Sequence, residues 1–178
     1  MSEKSAPSAK KYRDTSLQAE GAEYLVVARL FLSGISAFKA PYGMKGYDVV
    51  AAAPDLGTSC RIQVKCRWGG NVDGFFLGNL DCEFVALVAP YLGPGPETPA
   101  SGSAAATKVW LFPADLLAAH IRNPETSPKI QLTDIRRACT APPEPGAPAG
   151  TGLDQFCEDW ERVRSHLGLS PAGSADGR

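Results

Sequence analysis

The sequence lacks the features that mark membrane-spanning and disulfide-stabilised proteins. No apolar run reaches the roughly 18 to 20 residues needed to span a bilayer, and residues 1–13 are polar, without the apolar segment of a secretory signal. The five cysteines are odd in number and form no CxxC pair, and the two histidines lie near none of them. This pattern argues against a disulfide framework and a structural zinc site. We therefore expect a cytoplasmic protein with reduced thiols and no membrane partner.

The chain also has almost no net charge, because 18 Lys and Arg residues face 19 Asp and Glu residues. A protein that binds nucleic acid through its overall charge alone is therefore disfavoured. The charges are unevenly distributed: residues 1–70 hold ten Lys/Arg and six Asp/Glu, whereas residues 71–178 hold eight and thirteen. The basic excess in the first part is compatible with a local anionic ligand, although an asymmetry of this size is common.

The length of 178 residues suits one domain with tails and loops. Composition and periodicity divide the chain into segments of different character. The predicted segments are a disordered tail (1–14), a domain (15–139) with a flexible loop rich in Pro, Gly, Ser and Ala (91–107), a linker (140–152), an amphipathic C-terminal helix (153–168) and a second disordered tail (169–178).

Apolar residues at helical intervals predict a helix over 15–33, with Ser16 as its N-cap and Gly34 as its C-terminal glycine. Alternating or short apolar stretches between turn residues predict six strands, at 35–40, 47–53, 60–67, 75–80, 84–89 and 109–112. The last strand leads through Pro113 into a helix over 114–121. A helix, a mostly antiparallel set of strands and further helices packed behind them predict an α+β or mixed α/β domain.

Two of the predicted strands carry polar residues that could form one site. Asp48 begins an apolar strand, where a carboxylate is costly unless it has a partner or a metal. Gln63 and Lys65 lie two apart on the next strand, so their side chains leave the same face. If the two strands pair as a hairpin about the turn at 54–57, Asp48 comes near both residues.

This group has the chemistry of a metal-and-water site. Mg²⁺, with Mn²⁺ as its substitute, prefers oxygen ligands, and Asp48, Gln63 Oε1 and the backbone carbonyl of Val64 could provide three. Lys65 could then hold a water or hydroxide against a phosphorus atom. A plainer alternative is that Asp48 and Lys65 form a partly buried ion pair in a sheet.

Charged residues around this group are further candidates. Glu23, one turn after Glu20 on the first helix, could bind a metal directly or through water. Four cations flank the group and are candidate phosphate contacts, although for each of them a solvated surface position is the commoner role. They are Lys39, Lys45, Arg61 and Arg67.

Three runs, GAEYLVVARLFLSG (21–34), YDVVA (47–51) and RIQVK (61–65), resemble the PD-(D/E)xK nuclease superfamily. The likeness is greatest to small bacterial endonuclease-like proteins with a glutamate on helix one, an aspartate on strand two and Gln-Val-Lys on strand three. It covers residues 16–121 and extends more loosely to 169. The resemblance implies a restriction-endonuclease-like core, with a central mixed sheet flanked by helices. The catalytic residues that it implies are Glu23, Asp48, Gln63 and Lys65.

The resemblance further implies a Mg²⁺-dependent endonuclease that hydrolyses DNA phosphodiester bonds. Gln63 stands where most relatives have Glu or Asp, and a neutral amide binds Mg²⁺ more weakly than a carboxylate. A catalytically inactive nuclease-fold module that binds nucleic acid or protein is therefore the alternative. A nuclease that cuts both strands commonly acts as a homodimer.

Overall fold

The computed structural model describes residues 15–41, 43–67, 72–89, 107–140 and 152–172. No helix within these ranges is long and apolar enough to cross a membrane. The elements, in chain order, are α1 (Ser16–Leu32), β1 (Ser36–Lys39), β2 (Val49–Ala53), β3 (Thr58–Cys66), β4 (Gly74–Phe76), β5 (Phe84–Ala89), β6 (Lys108–Pro113), α2 (Ala114–Ala118), β7 (Lys129–Gln131), α3 (Leu132–Thr140) and α4 (Glu161–Leu167). Short 3-10 helices lie at Pro54–Leu56 and Gly152–Phe156.

The central feature is a mixed five-stranded sheet in the order β1-β2-β3-β5-β6. Strands β3 and β5 run parallel, and the other three neighbouring pairs run antiparallel. All six residues of β5 are buried, because this strand has neighbours on both edges and packed layers on both faces. The expectation of a mixed sheet flanked by helices is confirmed.

Two hydrophobic cores lie on opposite faces of this sheet. Helices α1 and α4 cover one face, while the second sheet (β4 and β7), α2 and α3 cover the other. Because side chains alternate along a strand, the apolar residues of β3 all face one side, the core under α1 and α4. Ile62 and Val64 pack against the α1 side, so Gln63 and Lys65 between and after them point to the opposite side.

Helix α1 ends in a Schellman motif at the predicted glycine. Gly34 has a left-handed φ of 71°, which a residue without Cβ adopts at little cost. Its N–H donates to the carbonyl of Phe31, and the N–H of Ile35 donates to that of Leu30, both at 2.9 Å. These are the two bonds that define the motif, and they turn the chain directly into β1.

Two predicted helix boundaries need correction. The N-cap of α1 is Thr15 rather than Ser16, because the Thr15 carbonyl already accepts the first helical bond, from the N–H of Ala19 at 2.9 Å. Helix α2 ends at Ala118, where 114–121 was predicted. The strand predicted over 75–80 is also shorter, and it pairs with β7 in the second sheet.

The helix predicted over 153–168 is interrupted. The chain instead forms a 3-10 helix at Gly152–Phe156, and α4 begins only at Glu161. Between them Glu158 has a left-handed φ of 55°, and its N–H donates to the Val109 carbonyl at 2.7 Å. This bond to β6 replaces the helical bond. The apolar residues whose spacing suggested the helix are all buried: Phe156, Trp160, Val163 and Leu167.

The predicted tail at 1–14, and most of the predicted loop, linker and second tail, lie outside the described residues. The division of the chain into these segments therefore stays a prediction. Strand β7 and helix α3 were not predicted, although they supply Ile130, Leu132 and Ile135 to the second core.

Candidate active site

Asp48 lies immediately before β2, at the point where the ladder with β3 ends. The last paired residues are Val49 and Ile62, so the antiparallel register continued by one residue places Asp48 opposite Gln63. Asp48 lies in a bend rather than in the strand, so its direction does not follow from the alternation that turns Gln63 and Lys65 away from α1. The strand pairing brings these three residues together where β2 and β3 separate, and their chemical roles stay predictions.

The carboxylate of Asp48 also accepts a backbone hydrogen bond. The N–H of Val64 donates to Asp48 Oδ2 at 2.6 Å. In a strand the N–H and the carbonyl of one residue point to the same edge, so the Val64 carbonyl is on the Asp48 side as well. Asp48 and Lys65, both among the described residues, do not form an ion pair, which argues against the plainer alternative for them.

Gln63 has a buried acceptor without a donor. The residue is 8% exposed, and its side-chain Oε1 has no hydrogen-bond partner. Leaving a buried acceptor unpaired costs about 1–3 kcal/mol, so such an atom calls for an explanation. A cation bound beside Asp48 would supply the missing partner.

Lys65 is half-buried on the same face. Burial lowers the pKa of its ammonium group, and the nearby Arg67 lowers it further, while Asp48 opposes the shift. The ammonium is thus held in a site where its charged form is less stable than in water.

Cys82 is a neighbour of this group that the sequence did not reveal. Its thiol is 7% exposed, and burial raises its pKa to about 11, against an opposing hydrogen bond from the Gln63 backbone. The residue precedes β5 in an irregular segment, so no periodicity placed it beside Gln63. At physiological pH this thiol is therefore protonated, and it contributes no charge to the site.

Glu23 approaches Asp48 from α1. Both residues line a cleft of about 360 Å³ between the helix, the end of β1 and the loop before β2. Gln63 and Lys65 do not line this cleft, so Asp48 is the residue that both groups share. Within the cleft, Glu23 Oε2 lies 3.0 Å from Lys39 Nζ, an ion pair that the sequence did not predict.

The candidate phosphate-binding cations differ in their surroundings. Lys45 and Arg67 are exposed, and neither forms an ion pair within the described part of the chain. Arg61 is engaged, because its Nη2 lies 2.7 Å from Glu83 Oε1 and its Nη1 contacts Asp81. Its backbone N–H donates to the same Glu83 at 2.6 Å. Lys39 is likewise held by acidic side chains.

Comparison with solved structures finds a match over most of the chain. It is a bacterial homing endonuclease, I-Ssp6803I, with a TM-score of 0.50 and 13% identity, covering 86% of this chain and 94% of that one. The chain has the PD-(D/E)xK nuclease fold. The Holliday junction resolvase Hjc from Archaeoglobus fulgidus matches with a TM-score of 0.37 and 16% identity, over 64% of this chain and 84% of that one. No family model and no curated protein matches the sequence.

Nucleases of the PD-(D/E)xK fold typically use divalent metals, and three residues here offer the kind of donor atom that such an ion prefers. A carboxylate (Asp48), an unpartnered amide oxygen (Gln63) and a backbone carbonyl (Val64) are the hard oxygen donors that Mg²⁺ prefers. The described residues contain no group of three His, Cys, Asp or Glu side chains arranged to hold a metal. Gln63 contributes an amide in place of an acid, and Glu23 is bound to Lys39.

Proposed function

We propose that this protein is a Mg²⁺-dependent endonuclease that hydrolyses DNA phosphodiester bonds. The observation that carries the proposal is the placement of Asp48, Gln63 and Lys65 together where β2 and β3 of a PD-(D/E)xK fold separate, with a buried acceptor that has no partner. Most buried acceptors are satisfied within the protein, although Thr107 Oγ1, which lies outside the candidate site, also has no partner. An acceptor left unpaired beside a carboxylate is instead suited to a cation.

Each residue has a definable role in this proposal. Asp48, Gln63 Oε1 and the Val64 carbonyl would hold Mg²⁺, or Mn²⁺ in its place, and Glu23 would complete the site directly or through water. When bound, the cation neutralises phosphate charge and makes water a better nucleophile. Asp48 retains its bond from the Val64 N–H, which fixes the orientation of the carboxylate.

Lys65 acts on the water and on the phosphate. Its ammonium holds the attacking water by a hydrogen bond and offsets the negative charge that grows on the phosphate oxygens. Because burial lowers its pKa, its proton is released more easily than that of a solvated lysine.

The substrate contacts follow from the exposed cations. Lys45 and Arg67 lie beside the site and are free of ion pairs within the described residues, so they can bind backbone phosphates. Arg61 would contact a phosphate only by exchanging Glu83 and Asp81 for it. A homodimer would present one such site to each strand of a duplex.

Cleavage of plasmid and single-stranded DNA during a Mg²⁺ titration tests the proposal. The variant Lys65→Met keeps the aliphatic stem and removes the ammonium, and Lys108→Met makes the same change at an exposed site on β6. We expect K65M to lose about 100-fold or more of the rate, the usual contribution of a general acid or base, while K108M resembles the parent. Equal rates in the parent and K65M would refute the mechanism.

The alternative function is a nuclease-fold module that binds nucleic acid or protein without cutting. The neutral Gln63 and the ion pair that holds Glu23 favour it, because both weaken the site for a divalent cation. In that case DNA binding would weaken with salt as phosphate contacts are lost, and Mg²⁺ would produce no cleavage in any variant. Binding and cleavage measured on one substrate distinguish the two functions.

A further inference from the structure

Lys39 contacts the N-terminal half of α1. Its Nζ lies 3.0 Å from Glu23 Oε2 and also bonds Glu20 Oε1. The same ammonium lies 4.5 Å from the centroid of the Tyr24 ring, within the range of a cation–π contact. Residues three and four apart share one face of a helix, so Glu20, Glu23 and Tyr24 enclose a single cation. This pocket is built around a positive charge.

Backbone pairing places this pocket next to Asp48. Lys39 pairs with Val49 across the β1–β2 ladder, and the N–H of Ala40 donates to the Asp48 carbonyl at 2.8 Å. Lys39, Glu23 and Asp48 also line the same cleft. Strand pairing thus fixes the backbone of Lys39 beside that of the proposed metal aspartate.

The formal charge of the cleft matches one divalent cation. Glu20, Glu23 and Asp48 carry three negative charges and Lys39 carries one positive charge, which leaves −2. A cation that takes Glu23 as a ligand competes with the Lys39 ammonium for the same carboxylate. Since Glu23 and Lys39 are each 21% exposed at their side chains, solvent screens this competition only partly.

We propose that Lys39 is a displaceable internal counter-ion of Glu23. The Lys39 ammonium holds the Glu23 carboxylate in the cleft beside Asp48, and this ion pair breaks when a divalent cation binds Glu23. This inference rests on the proposed function and adds a positioning residue to it. In the metal-free protein Lys39 offsets the negative charge of the acidic side chains and keeps Glu23 in place. Because it competes with a divalent cation for Glu23, it also weakens cation binding. The released ammonium remains on the cleft wall, tethered by β1.

Mn²⁺ affinity of the metal-free protein, measured by calorimetry and by electron paramagnetic resonance, tests the inference without reference to cleavage. Lys39→Met removes the charge and keeps most of the aliphatic stem. We expect it to bind Mn²⁺ about five-fold more tightly than the parent, as for loss of one partly exposed ion pair. Lys108→Met is the matched control, with the same change in net charge away from the cleft, and its affinity should equal that of the parent.

A double-mutant cycle shows whether Lys39 acts through Glu23. In the Glu23→Gln background the K39M change should alter Mn²⁺ affinity less than two-fold, because the contested carboxylate is gone. A full five-fold gain in that background, or an unchanged or weaker affinity of K39M itself, would overturn the inference. If the parent binds Mn²⁺ and Asp48→Asn abolishes binding, the proposed site survives such a result. If no variant binds Mn²⁺, the proposed function and this inference both fail.

Discussion

Replacing Gln63 by Met should stabilise the metal-free protein. Met has nearly the shape of Gln but no amide, so the variant removes a buried acceptor that has no partner. Since such an acceptor costs about 1–3 kcal/mol, we expect a gain of about 1–2 kcal/mol in the free energy of unfolding. For a domain of this size that raises Tm by about 2–4 °C per kcal/mol.

Mg²⁺ should reverse the difference in stability between Q63M and the parent. At a concentration ten times its Kd, a ligand stabilises the native state by RT ln 11, about 1.4 kcal/mol. The parent should show this gain, while Q63M should lose most of it along with its nuclease activity. Thermal and urea unfolding in EDTA and in Mg²⁺ measure both effects on the same samples.

Thr107→Val is the matched control for this experiment. Thr107 is 2% exposed and its Oγ1 also has no partner, but it lies outside the candidate site. The T107V variant should therefore gain stability in EDTA and keep the whole response to Mg²⁺. A Q63M protein less stable than the parent in EDTA would show that Oε1 has a partner, and a Q63M protein with the full Mg²⁺ response would show that the amide is no ligand. Either result would refute the reasoning.

Three further predictions concern protons. Burial lowers the pKa of Lys65 in the folded protein. Between that lowered pKa and the ordinary 10.5 the unfolded chain binds more protons than the folded one, so the free energy of unfolding rises with pH. Urea unfolding should show this rise in the parent and not in Lys65→Met, and parallel pH curves for the two proteins would contradict it. Burial opposes the ionisation of Glu83, but hydrogen bonds from Arg61 outweigh it and lower the pKa. Glu83→Gln should therefore lower the free energy of unfolding by about 1 kcal/mol at pH 7. The difference between variant and parent should shrink as the pH falls below 4.5 through the folded pKa of Glu83. A constant difference down to acid unfolding would argue against this prediction. Burial raises the pKa of Cys60 to about 12 and that of Cys82 to about 11. Ellman's reagent at pH 8 should therefore modify at most three of the five free cysteines before urea is added. Rapid reaction of all five would disprove this prediction.

The sequence was most informative where structure depends on near neighbours. The helical spacing and Gly34 located α1, and the alternation through Ile62, Gln63 and Val64 located β3 and its two faces. The hairpin about the turn at 54–57 then brought Asp48 to Gln63 as expected. These features follow from side-chain periodicity and turn chemistry, which a short window of sequence contains.

Long-range pairing explains what the sequence did not show. Strand β4 pairs with β7 more than fifty residues later, and nothing within either three-residue strand identifies its partner. The residues from 153 to 168 have helical spacing, but the bond of the Glu158 N–H to β6 overrides it. The ion pair of Glu23 with Lys39 depends on how α1 crosses β1, so the spacing that suggested Glu23 as a metal ligand could not reveal its competitor.

The hydrogen bond from the Val64 N–H to Asp48 Oδ2 affects how mutagenesis of this region should be read. Where β2 and β3 separate, a side-chain oxygen takes the place of a backbone acceptor. Alanine at position 48 would orphan the Val64 N–H and let the end of the hairpin fray, so an inactive alanine variant would confound disrupted strand pairing with lost chemistry. Asparagine retains an oxygen at that position, which makes it the informative substitution.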